Sequence, residues 1–285
     1  MPAVADLVSA LAMEPLGDHR YRAANVAVGE RGMVFGGELI AKMLVAAARD
    51  DGTKPVKSAH GLFARTVQVD EDDELEVNVL HTGRTFASAT VSLSQRGRQC
   101  ARALVLLSEP EEDLIRHGAP MPDVPGPDGA APLGDPVAWR EVRSVGGVDI
   151  NDERSVGPAS LHLWMRFPDA PDDPVLAQGL LAHATASYLI GTAMRPHAGI
   201  GQSIAHREIS TGIVGHTISF QEPFDPRQWL LISHESPYAG RGRTVGTGQV
   251  HTEDGQLVAT FSQEAMIRHF VGGARAPDRP VSTVL

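Results

Sequence analysis

The sequence has one cysteine, few basic residues and no long apolar run, and each shortage excludes a class of protein. Cys100 alone can form neither an intramolecular disulfide nor a cysteine-rich metal site. The 25 lysines and arginines are outnumbered by 35 aspartates and glutamates, and the net charge of −10 argues against a nucleic-acid-binding protein. The longest apolar runs, such as residues 43–48, are far shorter than the roughly 20 residues needed to span a bilayer.

The first thirteen residues also lack the positively charged start that is typical of a secretory signal, since they contain Asp6 and no basic residue. A lone cysteine suits a reducing compartment, so we expect a cytoplasmic protein that contacts no membrane. An apolar content of 42% is enough to build a core. A chain of 285 residues allows about two domains, at roughly 100–200 residues each.

Several catalytic motifs are missing as well. The twelve histidines are scattered, and no two of them stand four residues apart as a helical pair of zinc ligands would. Residues 201–205 are the nearest match to a nucleophile elbow, but they lack its second glycine. Residues 240–246 have the wrong glycine spacing for a dinucleotide-binding loop. We therefore expect neither a metal ion nor a bound cofactor.

The hydrophobic pattern of the first half predicts one helix followed by strands. Apolar residues recur at helical spacing over residues 36–50. Apolar and polar residues alternate over residues 75–79 and 87–94, a turn follows at 95–97, and residues 100–107 form an apolar strand. Antiparallel strands are therefore expected after the helix.

The second half repeats this order after a proline-rich segment. Residues 110–136 hold seven of the twenty prolines and predict a linker without packed structure. A helix is predicted over residues 173–194, with Asp172 or Asp173 as its cap and Pro174 in its first turn. Strands are predicted at 139–150, 161–167, 216–220, 229–235, 243–252 and 257–267.

The two halves are also alike in sequence. Gly83-Arg84-Thr85-Phe86 has its counterpart in Gly242-Arg243-Thr244-Val245, and each is followed by a strand, a glycine turn and a second strand. A duplicated α+β unit is the simplest interpretation. One helix against one bent antiparallel sheet is the hotdog arrangement, so two copies predict a double hotdog with one continuous sheet. We expect an N-terminal unit at 1–108, a linker at 109–138 and a C-terminal unit at 139–285.

These segments resemble the TesB-like (type II) acyl-CoA thioesterases over nearly the whole chain. In the first half the resemblance rests on Val34-Phe35-Gly36-Gly37 and on residues 58–65 and 82–86. In the second half it rests on residues 163–166, 194–197, 216–220, 222–224, 229–231 and 254–264. The resemblance implies hydrolysis of fatty acyl-CoA to a free fatty acid and coenzyme A, which enters only as part of the substrate.

The resemblance places the family's catalytic glutamine at Gln263. The family's aspartate falls at Gly215, and its hydroxyl residue falls at Pro237, beside Ser236. Two of the three expected catalytic groups are therefore missing unless Ser236 replaces one of them. Because a general base typically contributes roughly 10²–10⁴-fold, weakened hydrolysis is expected. A non-catalytic acyl-CoA-binding or sensing protein is the alternative.

Other polar residues are candidates for the missing roles. Glu38 follows Gly36-Gly37 at the start of the first helix, where it either replaces the acid or merely interacts with the helix dipole. His216 is a candidate base with a pKa near neutrality, and a structural histidine is the alternative. The candidates for substrate binding are Gly37, Gly215, Thr217, His60, Arg84 and Arg243. The arginines are expected to contact CoA phosphates or simply to be solvated. The resemblance also implies a homo-oligomer.

Overall fold

The computed structural model describes residues 4–27, 32–134 and 140–270. Its α-helices within these ranges are α1 (Val4–Ala12), α2 (Gly36–Asp51), α3 (Pro174–Thr185) and α4 (Leu189–Met194). Its strands in the first half are β1 (Glu14–Gly17), β2 (Arg20–Ala23), β3 (Val56–Phe63), β4 (Asp73–Thr82), β5 (Phe86–Gln95) and β6 (Arg98–Ser108). Its later strands are β7 (Ala131–Pro132), β8 (Glu141–Ser144), β9 (Ser160–Arg166), β10 (Ile209–Phe220), β11 (Leu230–Gly240), β12 (Arg243–Thr252) and β13 (Leu257–His269).

The thirteen described strands form one antiparallel sheet in the order β1-β2-β4-β5-β6-β3-β10-β13-β12-β11-β9-β8-β7. The order is symmetric about its centre, where β3 of the first half pairs with β10 of the second half. From this seam outward, β6, β5 and β4 occupy the places that β13, β12 and β11 occupy on the other side. The prediction of a duplicated α+β unit in a double hotdog with one continuous sheet is confirmed.

The central helix α2 is buried on all sides because it lies between the sheet and α3. Every residue from Gly37 to Ala48 is buried, as expected for a helix that has no solvent-facing side. Gly52 ends the helix in the left-handed conformation, and its N–H bonds the carbonyl oxygen of Ala48. One hydrophobic cluster includes residues of both halves, so the two hotdog units share a core.

The prediction of one continuous helix over residues 173–194 is wrong. The chain leaves the helix after Thr185, and α4 begins only at Leu189. Between them Tyr188 adopts the left-handed conformation with a φ of 68°, which an α-helix of L-residues does not accommodate. The predicted cap is confirmed, because the Asp173 carboxylate accepts backbone hydrogen bonds at the start of α3.

The proline-rich segment also differs from its prediction, because it packs against the sheet. The indole of Trp164 donates a hydrogen bond of 2.9 Å to the carbonyl oxygen of Pro125. Ala130 of the same segment is buried against Trp164 and Leu231. Proline-rich backbone keeps its carbonyl oxygens as acceptors, which lets an irregular segment attach to strand side chains.

Two further elements differ from the sequence-based expectation. The strand expected at 139–150 is limited to β8, and its predicted first residue, Trp139, lies outside the described residues. The short helix α1 was not predicted, although Leu7 and Leu11 bury one side of it. Within the described ranges, no helix is long and apolar enough to cross a membrane.

Candidate active site

Four residues from adjacent strands form a row across the centre of the sheet. Gly61 of β3 pairs with His216 of β10, His216 pairs with Gln263 of β13, and Gln263 pairs with Gly246 of β12. Directly paired residues of antiparallel strands project from the same face, so the four share one face. We call them the central row, and we call the face that they share the inner face.

The two glycines at the ends of the central row allow helices to lie against it. A Cβ atom on Gly61 would stand 2.7 Å from Cδ1 of Ile40 in α2. A Cβ atom on Gly246 would stand 2.5 Å from Cδ2 of Leu189 in α4. The imidazole and the amide in the middle of the row therefore lie between two places where a helix packs closely on the sheet, α2 at Gly61 and α4 at Gly246.

Gln263 is 3% exposed, and neither its amide nitrogen nor its amide oxygen makes a hydrogen bond of normal geometry within the described chain. Burying such a group without a partner is unfavourable by about 1–3 kcal/mol. An unpartnered buried amide is therefore an unusual feature that requires an explanation, and a place for a ligand or a water molecule is a direct one.

His216 lies beside Gln263 and is 1% exposed. Its Nε2 is 3.1 Å from Oγ1 of Thr185, whereas its Nδ1 makes no hydrogen bond of normal geometry within the described chain. Burial lowers the pKa of His216 to about 4; the Gln263 side chain opposes this shift, and His60 adds to it. The imidazole is therefore neutral at pH 7, and its pKa is well below the near-neutral value expected from the sequence.

Three other sequence-predicted residues lie on the opposite, outer face of the sheet. Gly215 precedes His216 in β10, and a Cβ atom there would stand 3.4 Å from Cδ2 of Leu62, a side chain that is 57% exposed. His60 Nδ1 is 2.6 Å from Oγ1 of Thr217 across the seam between β3 and β10. The position at which the resemblance expects an aspartate is thus separated from Gln263 by the thickness of the sheet.

Ser236 lies where the pairing of β11 with β12 is interrupted between Glu235 and Tyr238. Its hydroxyl donates a hydrogen bond of 2.9 Å to the carbonyl oxygen of Val245. The single hydroxyl hydrogen is therefore used by the backbone. The structure does not bring this hydroxyl into the central row.

Glu38 forms part of a buried ion cluster. The Nζ of Lys42 lies 2.8 Å from Oε1 of Glu38, 2.9 Å from Oδ2 of Asp73 and 2.6 Å from Oδ1 of Asn25. Burial raises the pKa of the Glu38 and Asp73 carboxyls, while Lys42 acts in the opposite direction. These contacts tie α2 to the segment around Asn25 and to β4, and a catalytic role for Glu38 stays a prediction.

The remaining predicted residues lie apart from one another. Gly37 lies at the contact between α2 and α3, where a Cβ atom would stand 2.7 Å from the carbonyl oxygen of His183. Arg84 is exposed in the turn between β4 and β5, and Arg243 is exposed at the start of β12. Contact of these three residues with substrate stays a prediction.

Thr185 is the residue of the central site that the sequence did not indicate. It is fully buried at the last position of α3 and contacts His216. A threonine in a predicted helix has no distinguishing pattern, because its role depends on where the end of α3 meets β10.

Both halves of the chain match known protein families. Residues 27–108 match the family described as "Acyl-CoA thioesterase N-terminal domain", and residues 116–267 match the family described as "Acyl-CoA thioesterase C-terminal domain". The chain is 28% identical to "Acyl-CoA thioesterase 2" of Haemophilus influenzae over 284 residues, which cover 92% of this chain and 97% of that protein.

Solved structures give the same picture. The chain is similar to acyl-CoA thioesterase II TesB2 from Mycobacterium marinum, with a TM-score of 0.79, 28% identity, and coverage of 93% of this chain and 99% of that one. A protein of unknown function with a hot dog fold from Alicyclobacillus acidocaldarius has a TM-score of 0.75 at 22% identity, with coverage of 93% and 98%. The second similarity concerns the fold alone.

Proposed function

Because this chain belongs to the TesB-like acyl-CoA thioesterase family and is therefore a thioester hydrolase, we propose that it hydrolyses fatty acyl-CoA to a free fatty acid and coenzyme A. The observation that carries the proposal is the buried pair of His216 and Gln263, which lie side by side on the inner face and whose Nδ1 and amide atoms make no hydrogen bond of normal geometry within the described chain. Together they supply acceptors and donors in the arrangement that a reacting water molecule needs.

In this mechanism the reaction is direct attack of water on the thioester carbonyl. The amide of Gln263 orients the water, and Nδ1 of His216 accepts one of its protons as the oxygen bonds the carbonyl carbon. The thioester C–S bond then breaks, and the proton passes to the sulfur of coenzyme A. Both side chains are almost fully buried, so substrate reaches them only when the neighbouring side chains move.

Thiol release from short, medium and long acyl-CoAs tests this function directly. The wild type is expected to release coenzyme A, and Gln263→Ala is expected to lower kcat roughly 10- to 100-fold, since one positioning group is lost. Gln249→Ala on the neighbouring strand β12 is the matched control, because Gln249 is outside the central row. Equal rates for Gln263→Ala and Gln249→Ala would remove Gln263 from the mechanism.

The same assay separates hydrolysis from binding alone. We propose that hydrolysis is slow, because the central row contains neither a carboxylate nor a hydroxyl, the groups that the resemblance expects at positions 215 and 237. Tight binding of acyl-CoA without release of coenzyme A would identify a sensing protein and would contradict the proposed reaction.

The exposed Arg84 and Arg243 are proposed to contact the CoA phosphates, and their removal is expected to raise KM.

We also propose that the protein forms a homo-oligomer through the outer face of the sheet. Leu62 and Leu104 are 57% and 54% exposed there, on the adjacent strands β3 and β6. Arg102, Leu62, Gly215 and Glu264 follow one another across four strands, with a positive charge at one end and a negative charge at the other. A two-fold axis along the seam between β3 and β10 places Arg102 of each copy over Glu264 of the other.

A cytoplasmic location remains a proposal, which cell fractionation tests.

A further inference from the structure

The last turn of α3 contacts His216 through a single hydroxyl group, that of Thr185. Oγ1 of Thr185 lies 3.1 Å from the carbonyl oxygen of Ala182 and 3.1 Å from Nε2 of His216. The last four carbonyls of a helix have no intrahelical donor, and the N–H of Ala186 bonds the carbonyl oxygen of Ala184. The Thr185 hydroxyl therefore supplies the donor that the carbonyl oxygen of Ala182 needs.

This arrangement fixes which nitrogen of His216 carries hydrogen. A hydroxyl has one hydrogen and two lone pairs, so after donating to Ala182 it can only accept from the imidazole. The imidazole is neutral, because burial lowers its pKa to about 4, and a neutral imidazole carries one hydrogen. With that hydrogen on Nε2, the lone pair lies on Nδ1, the atom without a hydrogen bond of normal geometry.

We infer that Thr185 is a positioning residue: it holds His216 in the tautomer with hydrogen on Nε2, so that Nδ1 is the acceptor for the proton of the attacking water. This inference rests on the hydrolysis proposed above. The O–H bond of water breaks as the new O–C bond forms, and Nδ1 holds the proton. The C–S bond then breaks with its electrons going to sulfur, and the proton passes from Nδ1 to that sulfur.

The neighbouring groups explain why the tautomer of His216 matters for the proposed reaction. Gly215 provides no carboxylate, and its position faces away from Gln263. An imidazole with a pKa of about 4 has nearly the basic strength of an ordinary aspartate, whose pKa is about 3.9. In the opposite tautomer Nδ1 would be a donor and would accept no proton, so control of the tautomer decides whether His216 acts as a base.

Nitrogen-15 NMR of histidine-labelled protein tests the tautomer without any reference to activity. The His216 signals are identified by their loss in His216→Gln. In the wild type, Nδ1 is expected to be unprotonated and Nε2 protonated. In Thr185→Val, which has the same shape without the hydroxyl, the hydrogen is expected to move toward Nδ1, because Nε2–H loses its acceptor. Thr185→Ser is expected to retain the wild-type signals.

Steady-state kinetics on the same proteins complete the test. Thr185→Val is expected to lower kcat roughly 10-fold or more with KM within about twofold, and Thr185→Ser is expected to recover most of kcat. Thr192→Val is the matched control, since the buried Thr192 hydroxyl bonds back to the carbonyl oxygen of Tyr188 in the same way but in α4. It should change neither the His216 signals nor kcat.

Three outcomes would overturn the inference. The first is a wild-type His216 that carries its hydrogen on Nδ1, which needs no variant to detect. The second is an unchanged tautomer in Thr185→Val, and the third is a changed tautomer with unchanged kcat. If the wild type releases no coenzyme A, the proposed function fails, while the nitrogen signals still decide whether Thr185 sets the tautomer.

Discussion

At the scale of a residue, the face of the sheet on which position 215 lies limits which reactions a side chain there could assist. A side chain added there meets Leu62 on the outer face, whereas Gln263 lies on the inner face. Gly215→Asp is therefore expected to change acyl-CoA hydrolysis by less than about twofold, because a general base acts only within hydrogen-bond reach of its proton. Steady-state thiol release measures this, with Gly215→Asn as the uncharged control. A gain of about tenfold or more in Gly215→Asp alone would locate the reaction on the outer face.

His234 is a second buried histidine, and it gives the protein a pH dependence. Its ring lies 5.5 Å from that of Phe261 and 6.1 Å from that of Tyr188, and burial lowers its pKa to about 3. In the unfolded chain a histidine has a pKa of about 6.5, so between pH 6.5 and 3 the unfolded state binds more protons. The contribution of His234 to stability is therefore complete above pH 6.5 and is lost as the pH falls through this window.

His234→Phe removes this titration and keeps an aromatic ring in place. The free energy of unfolding of the variant minus that of the wild type should be about 3 kcal/mol larger at pH 4 than at pH 7, because only the wild type loses the contribution of His234. Urea unfolding at both pH values measures the difference. Effects of other buried groups, such as the raised pKa of Glu38, are common to both proteins and cancel. A difference that stays constant with pH would contradict the assigned cause.

The sequence indicates His216 and Gln263 as candidates, and the structure brings these two residues together. The sequence does not distinguish them from the other candidates, which the structure places elsewhere. Gly215 and Thr217 flank His216 in the sequence, yet strand alternation turns both toward the outer face. Thr185 could not be predicted, because its partners are a carbonyl one turn earlier and a histidine 31 residues later. Such roles depend on how two elements meet, which no local pattern encodes.

At the scale of elements, glycines allow α2 and α3 to approach closely, and Gly37 is one of them. A Cβ atom on Gly37 would stand 2.7 Å from the backbone oxygen of His183, which cannot move without shifting α3. A Cβ atom on Gly36 would stand 3.2 Å from Cδ1 of Ile213, the end of a flexible side chain. We expect Gly37→Ala to destabilise the fold by about 2 kcal/mol and Gly36→Ala to change stability by less than about 1 kcal/mol. Urea denaturation of both variants measures this, and equal effects would show that the helices adjust freely.

The elements themselves were largely predictable, and the exceptions have physical reasons. Periodicity identified α2 and most strands because their buried faces repeat at regular spacing. The break after Thr185 escaped prediction because Ala186-Ser187-Tyr188 contains neither glycine nor proline, although Tyr188 adopts a left-handed conformation. The packing of the proline-rich segment was also missed, since carbonyl contacts such as that of Pro125 with Trp164 have no hydrophobic period.

At the scale of the whole molecule, the continuous sheet has two faces with different roles. The inner face buries the helices and the central row, and the symmetric strand order places the seam between β3 and β10 at its centre. The outer face at this seam carries the exposed Leu62 and Leu104. Exposed apolar side chains that adjoin one another mark an interaction surface more often than an isolated one does.

A second copy of the chain on this surface is open to a direct test. Leu62→Asp places a charge in the proposed interface and is expected to weaken association at least tenfold, about 1.4 kcal/mol, so that light scattering after gel filtration gives a monomer mass. Arg102→Glu should weaken association as well, because it opposes Glu264 of the other copy with a like charge. The double variant Arg102→Glu with Glu264→Arg restores opposite charges and should recover the wild-type mass. An unchanged mass in Leu62→Asp, or a double variant no better than Arg102→Glu alone, would place any interface elsewhere on the molecule.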